Sequence, residues 1–377
     1  CTNIGGRVVG KKDANGNTQT GGVVGTLAPG GAQDCYNTGN VTGEGNYLGG
    51  VIGLINPSST VQDCYNTGNV TGEGDVVGGV VGYALTSSTV QDCYNTGNVT
   101  GESNFVGGVA GCAITSSTVQ DCYNTGNVTG ESNFVGGVAG TAGNSSTVQD
   151  CYNTGNVTGK GDSVGGVAGG ADTSSTVQDC YNTGNVTGKG DSVGGVIGVI
   201  NPSSTVQDCY NTGSINGGDR TGGIVGLAAN IVTKCYNTGT IVSKGINGTG
   251  GIVGDCVTKI QQDISLCFNA GTVQAPENAG GISGYLGAQG YAAKETKCYN
   301  KGKVICTQSN TGRGEIIGKM ASDATVTNSY YFTNETLRYG VGAINDGGDL
   351  EAKRKGTQKT TTNLNSYEEF LTWIEQQ

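Results

Sequence analysis

The sequence contains no histidine, and it has only one tryptophan, one methionine and four prolines among its 377 residues. Without histidine the usual Ser-His-Asp triads are excluded, and so are most transition-metal sites. Only 34% of the residues are hydrophobic, so a globular core of Leu, Ile and Phe is not expected. No apolar run approaches the roughly 20 residues that span a membrane, and we therefore expect no membrane insertion.

Basic residues are also few. The chain has 20 Lys and Arg against 30 Asp and Glu, which gives a net charge of −10 and a pI near 4.5. This charge argues against nucleic acid or an anionic membrane surface as a partner. The chain starts at Cys1 rather than Met, so we expect it to be a processed or excised piece of a longer protein.

What the chain does contain is a repeat of 29 residues, marked by the phrase Cys-Tyr-Asn. The cysteines of the regular copies are Cys35, Cys64, Cys93, Cys122, Cys151, Cys180 and Cys209, and the tyrosines that follow them are Tyr36, Tyr65, Tyr94, Tyr123, Tyr152, Tyr181 and Tyr210. Less regular copies follow at Cys235, Cys267 and Cys298, and Ser329-Tyr330 is a degenerate last copy. A fixed period in this range indicates a repeat architecture.

Each repeat predicts strands rather than helices. Gly and Asn are poor helix formers, and no 3.6-residue apolar stripe is present. Short β-prone pieces such as Asn-Val-Thr alternate with turn sequences such as Asn-Thr-Gly. We predict an all-β parallel β-solenoid, or β-helix, of about eleven coils over residues 21–333. The strands of neighbouring coils would pair in parallel at the usual spacing between strands. Residues 1–20 are predicted as a partial coil or cap, and residues 334–365 as a linker or loop.

The last segment, 366–377, is predicted to be a short amphipathic helix. Ser366 and Glu369 have the spacing of a capping box, and Tyr367, Phe370, Leu371 and Ile374 fall on one face. A solenoid exposes strand edges at its ends, so we expect Phe370 and Trp373 to pack onto the last coil as an end cap. The alternative is a docking helix for a partner domain.

Equal positions of successive coils stack into ladders, and three ladders contain chemically distinctive side chains. The Cys ladder is predicted to point inward as buried free thiols, with disulfides between neighbouring rungs as the alternative. Metal binding by cysteine is disfavoured because no CxxC pair and no His accompany the thiols. The Tyr ladder is interpreted as a stiffening element, or alternatively as a binding stripe for sugars or a flat partner.

The third ladder consists of aspartates, which are Asp34, Asp63, Asp92, Asp121, Asp150, Asp179 and Asp208. Like charges stacked this closely repel. We expect the carboxylates to splay into solvent and to hydrogen-bond to turns, so no cofactor is predicted. Calcium ions between the rungs are the alternative, although the Gly-Gly-x-Gly-x-Asp nonapeptide of calcium-binding β-rolls is absent.

The two recurring phrases together resemble a known family. Gly-Gly-Val-Val-Gly, as at residues 78–82, combined with Cys-Tyr-Asn-Thr-Gly-Asn-Val-Thr-Gly, as at residues 93–101, is similar to the GLUG motif. The resemblance covers roughly residues 21–333. It implies a β-solenoid on an extracellular, often adhesive, bacterial surface protein, but by itself it does not imply any particular activity. The near-identity of the central copies departs from the usual pattern.

From these observations we expect a structural or adhesive rod at the cell surface or outside the cell. Its partner would be a glycan or a protein on a host or cell surface. The alternatives are a self-assembling filament subunit that associates end to end, and an ice-binding solenoid. An enzyme is not expected, because catalysis needs one unique constellation of groups and the carboxylates here are repeated along the chain.

Overall fold

The computed structural model describes residues 1–12, 18–102, 104–131, 133–256, 262–288, 292–309, 312–333, 339–344, 350–354 and 356–377. The chain divides into two compact units, Cys1–Lys189 and Gly190–Gln377. Each unit is a parallel β-solenoid, and the two together contain about eleven coils with a 29-residue spacing. The predicted fold class is therefore confirmed.

One regular coil contains five short strands, which define five sheets. In the coil that begins at Thr89 the strands are Thr89–Gln91, Tyr94–Asn95, Val99–Gly101, Phe105–Gly107 and Ala110–Ala113. We name the sheets that contain them the Gln, Tyr, Thr, Val and Ala sheets, in that order. Within each sheet the strands pair in parallel with the equivalent strands of the next coil. In the Gln, Tyr and Thr sheets of the regular repeats, identical residues lie opposite each other.

The strands of the unit Cys1–Lys189 are as follows. The Gln sheet contains Gly31–Gln33, Thr60–Gln62, Thr89–Gln91, Thr118–Gln120, Thr147–Gln149 and Thr176–Gln178. The Tyr sheet contains Thr2–Asn3, Tyr36–Asn37, Tyr65–Asn66, Tyr94–Asn95, Tyr123–Asn124, Tyr152–Asn153 and Tyr181–Asn182. The Thr sheet contains Val8–Gly10, Val41–Gly43, Val70–Gly72, Val99–Gly101, Val128–Gly130, Val157–Gly159 and Val186–Gly188. The Val sheet contains Gln19–Gly21, Tyr47–Gly49, Val76–Gly78, Phe105–Gly107, Phe134–Gly136 and Ser163–Gly165. The Ala sheet contains Val24–Leu27, Ile52–Ile55, Val81–Ala84, Ala110–Ala113, Ala139–Ala142 and Ala168–Ala171.

The unit Gly190–Gln377 repeats this arrangement with more varied sequences. Its Gln sheet contains Thr205–Gln207, Ile231–Thr233, Gln262–Ser265, Ala293–Thr296 and Thr325–Thr327. Its Tyr sheet contains Tyr210–Asn211, Tyr236–Asn237, Phe268–Asn269, Tyr299–Asn300, Ser329–Tyr331 and Thr357–Lys359. Its Thr sheet contains Ile215–Gly217, Ile241–Ser243, Val273–Ala275 and Val304–Cys306. Its Val sheet contains Ser192–Gly194, Arg220–Gly222, Thr249–Gly250, Ala279–Gly280 and Arg313–Gly314, and its Ala sheet contains Ile197–Ile200, Val225–Ala228, Val253–Cys256, Ser283–Leu286, Ile317–Met320 and Val341–Ile344. The helices are Leu350–Arg354 and Tyr367–Ile374.

The core of each unit is thin and consists of small or β-branched side chains. Val90, Cys93, Val99, Val106 and Ala110 of one coil are all fully buried. Next to Val90 and Val99, the residues Gln91 and Thr100 are polar and at least partly exposed, since side chains alternate between the two faces of a strand. The low content of large apolar residues is therefore sufficient, because each coil needs only a few small inward side chains.

The Gly-Gly pair sits where the chain passes from the Val sheet to the Ala sheet. A Cβ atom on Gly108 would lie 2.0 Å from the carbonyl oxygen of Gly137 and 2.5 Å from Cγ of Asn124. The same approach occurs at Gly251, where a Cβ atom would lie 2.0 Å from the oxygen of Gly281. Only glycine permits backbones to come this close, which explains why the phrase recurs.

The structure differs from the linker predicted at 334–365. Val341–Ile344 pairs with Ile317–Met320 in the Ala sheet, and Thr357–Lys359 pairs with Ser329–Tyr331 in the Tyr sheet. The segment continues the solenoid because it still supplies an inward apolar residue, the fully buried Val341. The predicted linker positions 334–338, 345–349 and 355 lie outside the described residues. At the other end, the predicted partial coil contributes Thr2–Asn3, Val8–Gly10 and Gln19–Gly21 as first strands of three sheets.

Candidate functional site

The Tyr-sheet tyrosines of the unit Cys1–Lys189 form one continuous stack. The rings of Tyr36, Tyr65, Tyr94, Tyr123, Tyr152 and Tyr181 lie parallel, with centroids 4.8–5.0 Å apart and interplanar angles of 1–4°. We call this stack the open Tyr ladder, because each ring remains partly exposed. Each inner ring uses both of its faces on its neighbours, so the ladder presents ring edges rather than faces to a partner.

Two tyrosines in the middle of the ladder, Tyr94 and Tyr123, have a raised pKa. Burial, followed by the neighbouring ring of Tyr65, raises the pKa of Tyr94. The same causes act on Tyr123, whose pKa is raised by burial and then by Tyr94 and Tyr152. These two phenols therefore remain neutral hydroxyls at ordinary pH, able both to donate and to accept hydrogen bonds.

Behind each tyrosine, a buried asparagine holds the corner between the Tyr sheet and the Thr sheet. Nδ2 of Asn66 donates to the carbonyl oxygen of Gly68 at 2.6 Å and to Oδ1 of Asn95 at 2.8 Å. Asn95 repeats both bonds one coil later, to Gly97 and to Asn124. These amide stacks satisfy groups that are fully buried, and they fix the direction of the tyrosine beside them.

The aspartate ladder lies two residues before each tyrosine and is a turn feature. Asp34, Asp63, Asp92, Asp121, Asp150 and Asp179 all adopt left-handed backbone angles, with φ of 52–54°. In the unit Gly190–Gln377 the same left-handed position is occupied by Asp208, Lys234, Leu266, Lys297 and Asn328. The backbone therefore requires a left-handed residue there and not a carboxylate, and Asp is among the residues that tolerate this conformation.

The carboxylates of this ladder nevertheless affect one another. Burial raises the pKa of Asp121, and the charges of Asp92 and Asp150 raise it further. Among the residues that the structure describes, no group of three or more His, Cys, Asp or Glu is arranged to hold a metal ion. The ladder is thus a line of negative charge beside the tyrosines.

The Cys ladder lies inside the solenoid. Cys64, Cys93, Cys122, Cys151, Cys180 and Cys209 are fully buried, Cys35 nearly so, and all are free thiols. Sγ of Cys122 donates to the carbonyl oxygen of Gln120 at 3.0 Å and lies 3.6 Å from the oxygen of Val90. Burial raises the pKa of Cys151 and Cys235. Cys151 and Cys235 are therefore small core residues and poor nucleophiles.

In the unit Gly190–Gln377 the aromatic ladder is covered by the helix Tyr367–Ile374. The rings of Tyr210 and Tyr236 stack at 4.8 Å, and Tyr367 of the helix stacks on Tyr236 at 4.9 Å. The hydroxyl of Tyr367 donates to the carbonyl oxygen of Leu266 at 3.3 Å. Tyr367 therefore takes the place of the next ring in the stack, while Phe268 lies buried beneath the helix.

The rest of the helix follows the ladder coil by coil. Phe370 is fully buried, with ring centroids 5.8 Å from Phe268 and 6.2 Å from Tyr299. Trp373 meets Tyr299 at 5.9 Å and Tyr330 at 4.8 Å, both close to edge-on. We call Tyr236, Phe268, Tyr299 and Tyr330 the covered ladder.

This position differs from the predicted end cap. Phe370 and Trp373 pack along the side of the Tyr sheet, over successive coils, and not across the last coil alone. Capping of the helix itself follows the prediction, since the backbone N–H of Glu369 donates to Oγ of Ser366 at 3.2 Å.

The covered coils have changed their outward residues to receive the helix. Where a regular coil has Asp, Tyr and Thr, as at Asp92, Tyr94 and Thr96, the coil of Phe268 has Leu266 and Ala270 on its two sides. Both of these side chains pack against the aromatic cluster under the helix. Sequence reasoning missed this contact, although the loss of Asp and Thr at one repeat was a visible signal.

Two further bonds tie the approach to the helix onto the same surface. The hydroxyl of Tyr299 donates to the carbonyl oxygen of Thr362 at 2.6 Å, and Nζ of Lys301 donates to Oδ1 of Asn365 at 3.3 Å. Burial raises the pKa of Tyr299 to about 12. The segment that precedes the helix is therefore held by hydrogen bonds as well as by ring contacts.

A concave site lies between the Val and Ala sheets of the unit Gly190–Gln377. It has a volume of about 290 Å³. Nε of Arg220 lies 3.4 Å from Oδ2 of Asp255, and Nζ of Lys319 lies over the ring of Tyr285 at 5.6 Å. Arg220 and Asp255 are oppositely charged neighbours, and Lys319 lies over an aromatic ring. The site is therefore a charged corner of the solenoid.

One coil of this solenoid matches a known protein family. A family model described as the GLUG motif matches residues 74–100. The chain contains a GLUG motif. Residues 74–100 run from the turn before the Val sheet to the strand Val99–Gly101, which is nearly one coil. The resemblance to GLUG-repeat proteins is confirmed, and a repetitive solenoid with this motif indicates a structural role.

Comparison with curated proteins and with solved structures finds no match. Within the described residues, no helix is both long enough and apolar enough to cross a membrane. The features of the chain that bear on its function are therefore the GLUG-motif solenoid and its ladders.

Proposed function

We propose that this GLUG-repeat chain is a binding scaffold of an extracellular or cell-surface protein, acting as an adhesive rod. The observation that carries the proposal is the open Tyr ladder, which presents the same partly exposed side chains on six successive coils. A partner that binds one coil weakly can contact several coils at once, and such multivalent contacts raise the overall affinity.

The proposal also holds that the chain is not an enzyme. The acidic residues beside the ladder recur once per coil and are not gathered in one place. The thiols of the Cys ladder are buried and hydrogen-bonded to carbonyl oxygens. A surface that repeats at every coil favours extended contacts over a single catalytic centre.

The partner in this proposal is a glycan or a protein on a cell surface. The net charge of −10 disfavours nucleic acid. End-to-end self-association and ice binding stay predictions, and the described residues contain no feature that favours either over adhesion.

Binding of the purified chain to cells and to a glycan array tests the adhesive role. We expect saturable binding that is reduced by the double substitution Y94S/Y123S, which removes two neighbouring rungs of the open Tyr ladder. The matched control is T100S/T129S on the Thr sheet, which leaves the ladder intact. Absence of binding to every cell and glycan surface would contradict the adhesive role, as would equal binding by both variants.

A further inference from the structure

We propose that the open Tyr ladder docks an amphipathic helix of a partner protein, with aromatic side chains at every third position and Lys or Arg beside them. This inference rests on the proposed function, since it names the class of partner that the adhesive surface would take. The described residues place no helix on the open Tyr ladder, whereas the covered ladder of the other unit has one.

The covered ladder shows why a helix fits this kind of surface. Tyr367, Phe370 and Trp373 are three residues apart, which corresponds to about 4.5 Å along a helix axis. Successive rings of the open Tyr ladder are 4.8–5.0 Å apart. Each step of three helical residues therefore advances by nearly one coil. Every third position also turns by about 60° around the helix axis, so a helix keeps such side chains on the ladder for about two turns, as Tyr367, Phe370 and Trp373 do.

The ring geometry selects aromatic side chains as the contacting groups. Trp373 meets Tyr299 at an interplanar angle of 74° and Tyr330 at 80°. Edge-to-face pairs of this kind are favourable because the positive edge of one ring meets the negative face of another. The inner rings of the open Tyr ladder likewise present only edges. They can receive the faces of a partner's rings, whereas a sugar that stacks on a tyrosine needs a free ring face.

Charge determines which helix fits the open Tyr ladder. The helix on the covered ladder is acidic, with Glu368, Glu369 and Glu375. Its ladder has exchanged the aspartates at the left-handed position for Lys234, Leu266, Lys297 and Asn328. Repulsion between stacked carboxylates and an acidic helix explains this exchange.

The open Tyr ladder keeps all of its aspartates, from Asp34 to Asp179, and they are exposed to solvent. An acidic helix from a second copy of this chain would meet these carboxylates directly. The complementary occupant is a helix with basic side chains, since opposite charges across an interface raise the association rate and exclude wrong partners. The partner is thus a different protein from this chain.

The test uses two labelled peptides and the intact chain. The first peptide has the sequence of residues 363–377, and the second has the same sequence with E368K, E375K and Q376K. Glu369 is kept in both, because Oε2 of Glu369 accepts a hydrogen bond from the N–H of Asn365 at the start of the helix. Fluorescence anisotropy gives the Kd of each peptide. We expect the basic peptide to bind about tenfold more tightly than the native one.

Variants of the chain then locate the binding. D92N/D121N removes two charges beside the open Tyr ladder and is expected to weaken binding of the basic peptide several-fold. E73Q/E102Q removes the same charge after the Thr sheet and should leave the Kd unchanged. F370S/W373S in the basic peptide should abolish binding. Asparagine, like aspartate, tolerates the left-handed backbone conformation. D92N/D121N therefore changes the charge without disturbing the fold.

Two results would overturn the inference. One is equal affinity of the native and basic peptides, and the other is an equal effect of D92N/D121N and E73Q/E102Q, which would indicate attraction by net charge alone. Failure of the inference is distinct from failure of the proposed function. Cell or glycan binding without peptide binding would reject only the helix partner, whereas peptide binding without cell or glycan binding would reject only the adhesive role.

Discussion

The two units use one fold in different ways. In Cys1–Lys189 the regular coils repeat Asp, Tyr and Thr on the outside, and the open Tyr ladder stays partly exposed. In Gly190–Gln377 the outward residues vary, and the helix Tyr367–Ile374 lies over the covered ladder. The difference shows that the ladder itself is a packing surface. The variable coils already have an occupant, and the uniform coils leave their tyrosines partly exposed.

The interiors differ as well. Glu295 occupies a position in the Gln sheet where the preceding coils have Val232 and Ile264, and it is fully buried. Oγ of Ser283 donates to Oε2 of Glu295 at 2.6 Å. Burial raises the pKa of Glu295 to about 8, partly opposed by the bond from Ser283. The core of the variable unit therefore contains a carboxyl group, whereas the described core residues of the uniform unit include none.

The largest expected effect tests what the two units share. G108A and G251A should each prevent correct packing of the coil in which they lie, because each added Cβ atom would lie about 2 Å from a backbone oxygen. We expect a loss above about 3 kcal/mol from either substitution, measured by denaturant unfolding. G31A is the matched control, because its added Cβ atom would lie 3.3 Å from Thr60 O at a position where later coils have Thr. Native-like stability of G108A would contradict the close approach.

The next effect separates the units. F370A should destabilise the unit Gly190–Gln377 by about 3–5 kcal/mol, because a fully buried ring is removed. Hydrogen exchange should become faster in the segments around Phe268 and Tyr299 and should stay unchanged around Tyr94 and Tyr123. The control T372S alters an exposed residue of the same helix. Unchanged exchange near Phe268 in F370A would mean that the helix does not stabilise the covered ladder.

A third prediction concerns the buried carboxyl group. The folded pKa of Glu295, about 8, lies above its ordinary value of 4.5, so the folded state binds the proton more tightly. Stability from this group is complete below about pH 4.5 and is lost as the pH rises through about 8. S283V/E295V should remove this dependence and stabilise the unit by about 1–4 kcal/mol, as when a buried polar pair is replaced by apolar residues.

Unfolding free energies at pH 5, 7 and 9 check this expectation. The wild-type chain should lose stability across the series, and the difference between it and S283V/E295V should grow with pH. The variant S283V alone should be less stable than the wild type, because it removes the hydrogen-bond donor and leaves the buried acid. A constant difference across pH would show that Glu295 does not titrate in the core.

The smallest effect concerns the aspartates of the uniform unit. Burial, followed by the charges of Asp92 and Asp150, raises the pKa of Asp121, so the stability from this group should rise as the pH falls through its pKa. D92N/D121N should stabilise the unit Cys1–Lys189 by about a few tenths of a kcal/mol at neutral pH, since like charges opposite each other are destabilising. Unfolding in low and in 1 M salt checks this, because salt should remove most of the gain.

The period of the repeat made the fold predictable, because each coil buries the same letters at the same positions. Cys93, Asn95 and Val99 recur at 29-residue intervals, and this spacing alone places them in ladders. The end of the chain was less predictable. The contact of Tyr367 with Tyr236 joins residues far apart in sequence, and no local pattern specifies it.

The departures from the repeat contained the missing information. Aligned with the regular coils, Leu266 replaces Asp and Ala270 replaces Thr, and both changes make the surface apolar where the helix packs. Glu295 replaces Val in the same alignment. Each substitution contradicts the polarity of its ladder position, and each proves to have a partner elsewhere in the unit. The residues 334–365 were harder to interpret, since they retain only fragments of the coil pattern.

Fluorescence of Trp373 tests most directly whether the helix is seated on the covered ladder, because it is the only tryptophan in the chain. The emission of the intact chain should be shifted to shorter wavelength, and acrylamide should quench it less than the emission of a free peptide of residues 363–377. Y330S removes the ring that lies 4.8 Å from Trp373 and should move the emission towards that of the peptide. Identical emission and quenching of the intact chain and the free peptide would contradict the docking of the helix.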